Sequence, residues 1–415
     1  MPASPNFPQP PPRILLVDCD QMFVSVARLV DPEGAGKARL LVVGGRAQSR
    51  GVVCSASYEA RVFGVRAGMP IATAVRLCPD AMYVPVPGKA CGVKHREVRA
   101  ALDVWSPVVE PASIDEFYLD LSGTEAAYRD ESLEDTARRM RDDVRARTGL
   151  TLSVGGGTNR LVAKLAAERA KPRTAGGGTG VRIVPPGTEA DFLADHALAE
   201  IPGVGPKLQA ALGRFGLVSV KDALRVRRED FQHWLGPGSG DWLYERIRGR
   251  GSNRVHPDAD ARSMSHEETF ARDLVSEEAL ETRLLELVTR LAAELRAEGL
   301  SARTVTVKLR DHDFRTRQAS LTLPDSVSTG RAIFEVARER LRALRAKRRV
   351  AARLLGVGLT GLRSSAADDQ LSLLDHHPGR HESDRDRELA RAVDQINKKL
   401  GIETVRPARL VDDHP

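Results

Sequence analysis

Two acidic clusters stand out in the 415-residue sequence, Asp18-Cys19-Asp20 and Ser113-Ile-Asp-Glu-Phe-Tyr-Leu-Asp120. The first follows the apolar run Arg13-Ile-Leu-Leu-Val, which reads as a buried strand that delivers Asp18 to its end. The second enters an alternating stretch, 116–121, that reads as a half-buried strand. Neighbouring strand ends of one sheet can bring such carboxylates together, and like charges held that close need cations. Oxygen ligands of this kind suit magnesium. Paired metals about 4 Å apart can clamp the attacking and leaving oxygens of a phosphoryl displacement. An isolated Asp-x-Asp serves equally as a turn cap or in ion pairs, so the clusters alone leave both readings open.

The elements that must position these residues follow from periodicity and turn residues. Residues 22–82 carry many small and basic residues, with Gly44-Gly45 and Pro70 marking turns. Strand signals return near Val108. Residues 132–147 read as a helix with Ser132 and Asp135 at cap spacing, 150–154 as a strand and 160–170 as a helix. Gly176-Gly-Gly-Thr-Gly180 breaks the chain, and 190–250 is helical, containing Ile201-Pro-Gly-Val-Gly-Pro-Lys-Leu. Residues 253–261 are polar and aperiodic, as a linker would be. A strand at 266–270 precedes a helix whose Leu280, Leu284, Leu287, Leu291 and Leu295 share a face. Strands at 304–309 and 318–323, a helix at 328–344 and a strand at 354–359 complete a β-α-β-β-α-β order, a split-βαβ sheet. A polar tail follows, with a short helical stretch near 390–400.

Composition sets outer bounds. The length suggests about two to four domains. With 41% hydrophobic residues the chain can fold, and no apolar run reaches the roughly 20 residues that span a bilayer. Residues 1–12 form a proline-rich leader, expected to be disordered, without the basic and apolar regions of a secretion signal. Cys19, Cys54, Cys78 and Cys91 show no CxxC spacing, which argues against a zinc or disulfide framework and for a reducing, cytoplasmic setting. A net charge of +7 and a pI near 9.4 permit a polyanionic partner.

Four ordered motifs decide between the readings. Asp18-Cys-Asp-Gln-Met-Phe23, Ser57-Tyr-Glu-Ala-Arg-Val-Phe-Gly-Val-Arg66, Ser113-Ile-Asp-Glu-Phe-Tyr-Leu-Asp120 and Ala163-Lys-Leu-Ala166…Ala170-Lys-Pro172 resemble, in that order, the Y-family of translesion polymerases on its bacterial DNA polymerase IV branch. The resemblance covers about residues 13–363. It implies two magnesium ions, with manganese the other candidate, held by the catalytic carboxylates Asp18, Asp115 and Glu116 and the Cys19 carbonyl. It implies that Tyr58, Arg61 and Lys171 hold the incoming triphosphate, with Ser55 beside them. Phe23 matches the aromatic ring that excludes a ribose 2′-hydroxyl. Gln21, Met22 and Cys54 depart from the family's pattern and leave lesion preference open.

The implied fold is α+β, a right-hand polymerase. Its palm would comprise 13–21 and 83–175, with fingers at 22–82. The thumb at 176–254 would be helical, followed by a linker at 255–266, a split-βαβ little finger at 267–363 and a tail at 364–415. In the thumb, Gly203, Gly205 and Lys207 resemble a helix-hairpin-helix whose backbone N–H groups face a DNA phosphate. Arg303, Lys308, Arg310, Arg315 and Arg317 are candidates to track the duplex backbone. Gln370-Leu-Ser-Leu-Leu-Asp375 resembles the peptide by which bacterial polymerases dock on the sliding clamp, through Gln370, Leu371, Leu373 and Leu374. The expected partners are primer-template DNA, deoxynucleoside triphosphates and the clamp, with no membrane and a monomeric chain. Synthesis would be error-tolerant and without proofreading. An inactive family scaffold and a non-enzymatic helix-hairpin-helix DNA-binding protein are the alternatives. The first would have lost metal carboxylates, and the second leaves the Ser-Ile-Asp-Glu and Tyr-Glu-Ala-Arg motifs without a use.

Overall fold

A computed structural model describes residues 10–172, 178–257, 261–365, 381–401 and 404–411. The chain divides into two compact units, 1–259 and 260–415.

The first unit opens with β1 (Ile14–Cys19), buried along its whole length, as its unbroken apolar run requires. The chain continues through α1 (Met22–Val30), β2 (Leu41–Val43), β3 (Ser55–Ala56), α2 (Tyr58–Val62), α3 (Ile71–Leu77) and β4 (Met82–Val84). Next come α4 (Gly88–Leu102), β5 (Val109–Pro111), β6 (Glu116–Asp120), α5 (Leu133–Thr148), β7 (Leu152–Gly157), α6 (Arg160–Ala170) and β8 (Val181–Ile183). Five strands form a central sheet in the order β5-β6-β1-β7-β8, with β1 antiparallel to both of its neighbours. One face, through Leu15, Val17, Phe117 and Leu119, packs with α1, α4 and α5. On the other, Ile14, Leu16 and Tyr118 meet Ala163 and Ala167 of α6.

A smaller sheet, β3-β2-β4, is inserted between β1 and the rest of the central sheet. Because β4 pairs in parallel with β2 through Val84, this insertion runs past the boundary expected at residue 82. Strand β7 begins two residues after the expected 150 and continues through Gly155, Gly156 and Gly157. Glycine is a poor strand residue. Here it is required, because a Cβ on Gly155 would stand 2.0 Å from the Ala167 backbone nitrogen. Helix α6, capped by Asn159 Oδ1 accepting the Val162 N–H at 3.1 Å, therefore lies directly on the strand backbone.

Helices α7 (Glu189–Ala194), α8 (Pro206–Gly213), α9 (Val220–Ala223), α10 (Arg228–Leu235) and α11 (Pro237–Arg246) enclose a separate core. Leu161 and Leu165 of α6 join it beside Ile201, Leu212, Phe231 and Leu243. The stretch after α11 is not the free linker that its polarity suggests. The Arg160 N–H donates to the Ser252 carbonyl at 3.0 Å, and the His256 N–H donates to Glu110 Oε2 at 2.7 Å.

The second unit has the expected order: β9 (Ser263–Leu274), α12 (Glu277–Ala297), β10 (Leu300–Asp311), β11 (Thr316–Val327), α13 (Gly330–Lys347) and β12 (Ala352–Ser364). Its antiparallel sheet runs β11-β10-β12-β9, so each crossover helix joins two parallel strands with a third between them. The strands are longer than their apolar alternation suggests because their ends carry polar residues. Leu280, Leu284, Leu287, Leu291 and Leu295 are all buried with Val305, Val307 and Leu309. Beyond β12, residues 370–374 lie outside the described structure. The chain returns as α14 (Asp384–Leu400), capped by Ser383 and fastened to its own unit. Arg296 reaches Asp394 through two hydrogen bonds of 2.7 and 2.8 Å, and Glu382 accepts the Ser328 N–H at 2.9 Å.

Candidate active site

Register brings the two acidic clusters together. Asp18 on β1 is the cross-strand partner of Glu116 on β6 and of Ser153 on β7. The Cys19 N–H donates to the Asp115 carbonyl at 2.9 Å, fixing the turn that leads into β6. Two further groups hold that turn. Ser113 Oγ accepts the Glu116 N–H at 3.1 Å, and His95 Nδ1–H donates to the Ile114 carbonyl at 2.9 Å. The His95 ring stacks on Phe117 at 4.9 Å.

The charge of this cluster is only partly balanced. Burial raises the Asp18 pKa to about 7. The Lys171 ammonium, 2.7 Å away, works against that rise, while Glu116 and Asp115 add to it. For Lys171, burial disfavours the ammonium, but Asp18 and Glu168 outweigh it and raise its pKa. Lys164 on α6 pairs with Glu116, and Ser113 Oγ donates to Asp115. Each carboxylate is thus turned toward a different partner, and among the described residues no three His, Cys, Asp or Glu side chains form a metal-holding group. The Cys19 thiol is buried, which together with the surrounding carboxylates holds its pKa well up.

Beside the carboxylates lies a cleft of about 750 Å³ lined by Tyr58, Arg61, Arg66, Glu168 and Lys171. Helix α2 supplies the first two, its start set by Ser57 Oγ accepting the Ala60 N–H at 3.3 Å. The Arg61 guanidinium lies 5.0 Å from the Tyr58 ring centre and donates from Nε to the Ala56 carbonyl at 3.0 Å. Burial raises the Tyr58 phenol to about 12, with Asp20 adding to the rise, so the hydroxyl keeps its proton at neutral pH. Ser55 is buried on β3, and Phe23, in the first turn of α1, is half-buried against both the central-sheet and small-sheet cores.

Other candidates sit elsewhere. Gly203 has φ 98°, a conformation open chiefly to glycine, and a Cβ there would meet the Trp242 ring at 2.6 Å. Gly205 caps α8, and Lys207 is exposed in its first turn. In the second unit, Lys308 and Arg310 alternate with the buried Val307 and Leu309, on the face opposite the helices. Lys308 pairs with Glu267, and Arg310 Nε donates to Thr316 Oγ1 at 2.8 Å. Arg303 is half-buried and donates to the Leu323 carbonyl at 3.1 Å, while Arg315 is exposed in the β10–β11 turn. Arg317 requires a correction. It faces Leu309 across the ladder, and its guanidinium donates to the fully buried Asp311 at 2.8 Å and to the Leu344 carbonyl. It balances a core carboxylate and does not share a face with Lys308.

Sequence spacing does not single out Lys164 or His95, and it places Asp20 in the first acidic cluster without assigning it a role. Lys164 lay inside a recognised motif, but its pairing with Glu116 depends on how closely α6 packs. Asp20 is buried, accepts from Ser153 Oγ at 2.7 Å and leaves Oδ2 without a partner. His95 carried no local signal, because its contacts are all distant in sequence.

Known proteins resemble the chain over most of its length. A family model described as the impB/mucB/samB family matches residues 17–168, and the model of its C-terminal domain matches 261–373. A protein named DNA polymerase IV from Dehalococcoides mccartyi (strain CBDB1) is 33% identical over 397 residues, covering 96% of this chain and 97% of its own. Among solved structures, the Y-family DNA polymerase chimera Dbh-Dpo4(243-245)-Dbh superposes with a TM-score of 0.73 at 24% identity. It covers 84% of this chain and 98% of its own. An insertion ternary complex of Dbh DNA polymerase gives 0.59 at 25% identity with the same coverage. With both models matched in order and a relative aligned nearly end to end, the chain belongs to the impB/mucB/samB family, the Y-family of translesion DNA polymerases.

Proposed function

We propose that this polymerase extends a primer 3′-hydroxyl on a DNA template, with Asp18, Asp115 and Glu116 as the carboxylates that serve the reaction. The observation that carries the reading is the β1–β6 register, which sets Asp18 opposite Glu116 with the Asp115 carbonyl bonded to Cys19.

Dependence on divalent metal comes with the family, and the donor set suits a hard cation. Asp18, Asp115, Glu116 and the Cys19 carbonyl are all oxygen donors, and the β1–β6 register sets Asp18 opposite Glu116. Two magnesium ions, or manganese, would supply Lewis acidity at the reacting hydroxyl and phosphate. The chain's own residues bind and orient. Arg61 and Lys171 neutralise the β- and γ-phosphates, and the Tyr58 hydroxyl donates to them. Ser55 supports that wall of the cleft, and Phe23 lies beneath the sugar.

In this reading the palm is the five-stranded sheet with α4 to α6, and the fingers are the small sheet through Val84. The thumb is α7 to α11, and the little finger is the sheet of the second unit with α12 and α13. Gly203, Gly205 and Lys207 contact the DNA backbone, as do Arg303, Lys308, Arg310 and Arg315. Gln370, Leu371, Leu373 and Leu374 dock on the sliding clamp, and the chain acts in the cytoplasm as a monomer without proofreading. No described helix is long and apolar enough to cross a membrane.

Primer extension by the full-length protein on undamaged and abasic templates tests the function. Template-directed, magnesium-dependent addition on both is expected. Addition that ignores the template, or none at all with metal present, would contradict the reading.

A further inference from the structure

Gln21 stands between the two halves of the nucleotide site. It follows the carboxylate strand and caps α1 with φ 48° and ψ 43°, a left-handed conformation that residues other than glycine, asparagine and aspartate seldom adopt. Its carbonyl accepts the Ser25 N–H at 2.9 Å, so the backbone is committed to starting that helix. Its side chain points elsewhere, and Oε1 accepts the Tyr58 N–H at 3.1 Å across 37 residues of sequence. The donor is one of the N–H groups at the start of α2 that no residue within that helix can satisfy. One amide thus ties the residue after Asp18-Cys19-Asp20 to the turn that carries Tyr58 and Arg61.

We propose that Gln21 is a positioning residue for the incoming triphosphate, setting the distance between the carboxylates and the Tyr58–Arg61 turn. This rests on the reading that Tyr58 and Arg61 hold the phosphates. The bond is not what holds the small sheet in place. Val24 and Ala27 of α1 already pack with Leu41 and Val43, and Ser57 caps α2 independently. Loss of the Gln21 amide should therefore shift the turn without unfolding it.

Two substitutions isolate the effect. Gln21→Asn suits the left-handed backbone and keeps an amide, but is one methylene too short to reach Tyr58. Gln21→Met keeps the length but offers no comparable acceptor. Steady-state primer extension with varied nucleotide should show KM raised roughly three- to tenfold in both, the scale of one lost hydrogen bond. The kcat, DNA affinity and thermal midpoint should stay near those of the parent. Unchanged KM in both variants would overturn the proposal, as would a fall in kcat and DNA affinity matching the rise in KM. Arg61→Ala is measured alongside. If it raises KM and the Gln21 variants do not, the inference fails alone. If it leaves KM unchanged, the phosphate reading fails and the inference falls with it.

Discussion

Phe23 occupies the first turn of the helix that follows the carboxylate strand, half in the core and half out of it. A ring so placed can block a 2′-hydroxyl without being lost to the core. Phe23→Ala should therefore raise ribonucleotide incorporation by at least about tenfold, the scale of a steric term of ~1.4 kcal/mol, while lowering deoxynucleotide use less. Parallel extension assays with the two nucleotide types check this. An unchanged sugar preference would reduce Phe23 to a packing residue. The two acidic clusters are legible in residue type and spacing, whereas Tyr58, Arg61 and Lys171 come only with the motif resemblance, and the structure sets these three around one cleft. Lys164, His95 and the amide of Gln21 were not, since each acts through a contact with a residue 19 to 48 positions away. Arg317 misled for the same reason. In sequence it is one more arginine near Lys308 and Arg310, and only the ladder register turns it toward Asp311.

At the scale of elements, α6 is central. It lies on the glycine backbone of β7, carries Lys164 and is capped by Lys171, and its last turn also reaches the stretch after α7. Arg169 donates from Nε to His196 Nε2 at 3.2 Å and also reaches Glu200 and the Asp195 carbonyl, while His196 Nδ1–H donates to Phe192. Burial lowers the His196 pKa, and Arg169 adds to that, against the opposing pull of Glu200 and the backbone contacts at Phe192 and Leu193. The unfolded chain then takes up this proton more readily than the folded one. The contribution of neutral His196 is complete above the unfolded value of about 6.5 and is lost as pH falls below it. Unfolding measured from pH 7.5 to 5 should show a shallower acid loss in His196→Gln than in the parent, and equal slopes would contradict the assignment. Helix α14 offers a second case. Asp394→Ala removes its paired hydrogen bonds to Arg296 and should cost about 1 kcal/mol after solvent screening. Faster amide exchange across 384–400 with primer extension intact is the expected result. The regular pattern of the second unit gave its order in full, whereas the acidic residues of 382–394 looked like tail and found partners only on folding.

On the proposed function, labour across the whole molecule is divided between a compact reacting centre and dispersed basic contacts. The division has a salt signature. Replacing Lys308 and Arg310 together by Ala should weaken duplex binding similarly for all sequences and lower the salt slope by roughly 2. Titration of DNA affinity against salt reads this directly, and an unchanged slope would remove both residues from the DNA path. Replacing Leu373 and Leu374 by Ala should abolish stimulation by the sliding clamp and leave unstimulated extension intact. Equal loss of both activities would point to packing instead. The central claim is that Asp18, Asp115 and Glu116 perform the chemistry while other parts of the chain hold the DNA. It is tested most directly by single-turnover primer extension and DNA affinity measured on the same Asp115→Ala protein. A rate loss of roughly a thousandfold or more, several kcal/mol of transition-state stabilisation, is expected, with DNA affinity nearly unchanged. Near-normal extension by Asp115→Ala would contradict it.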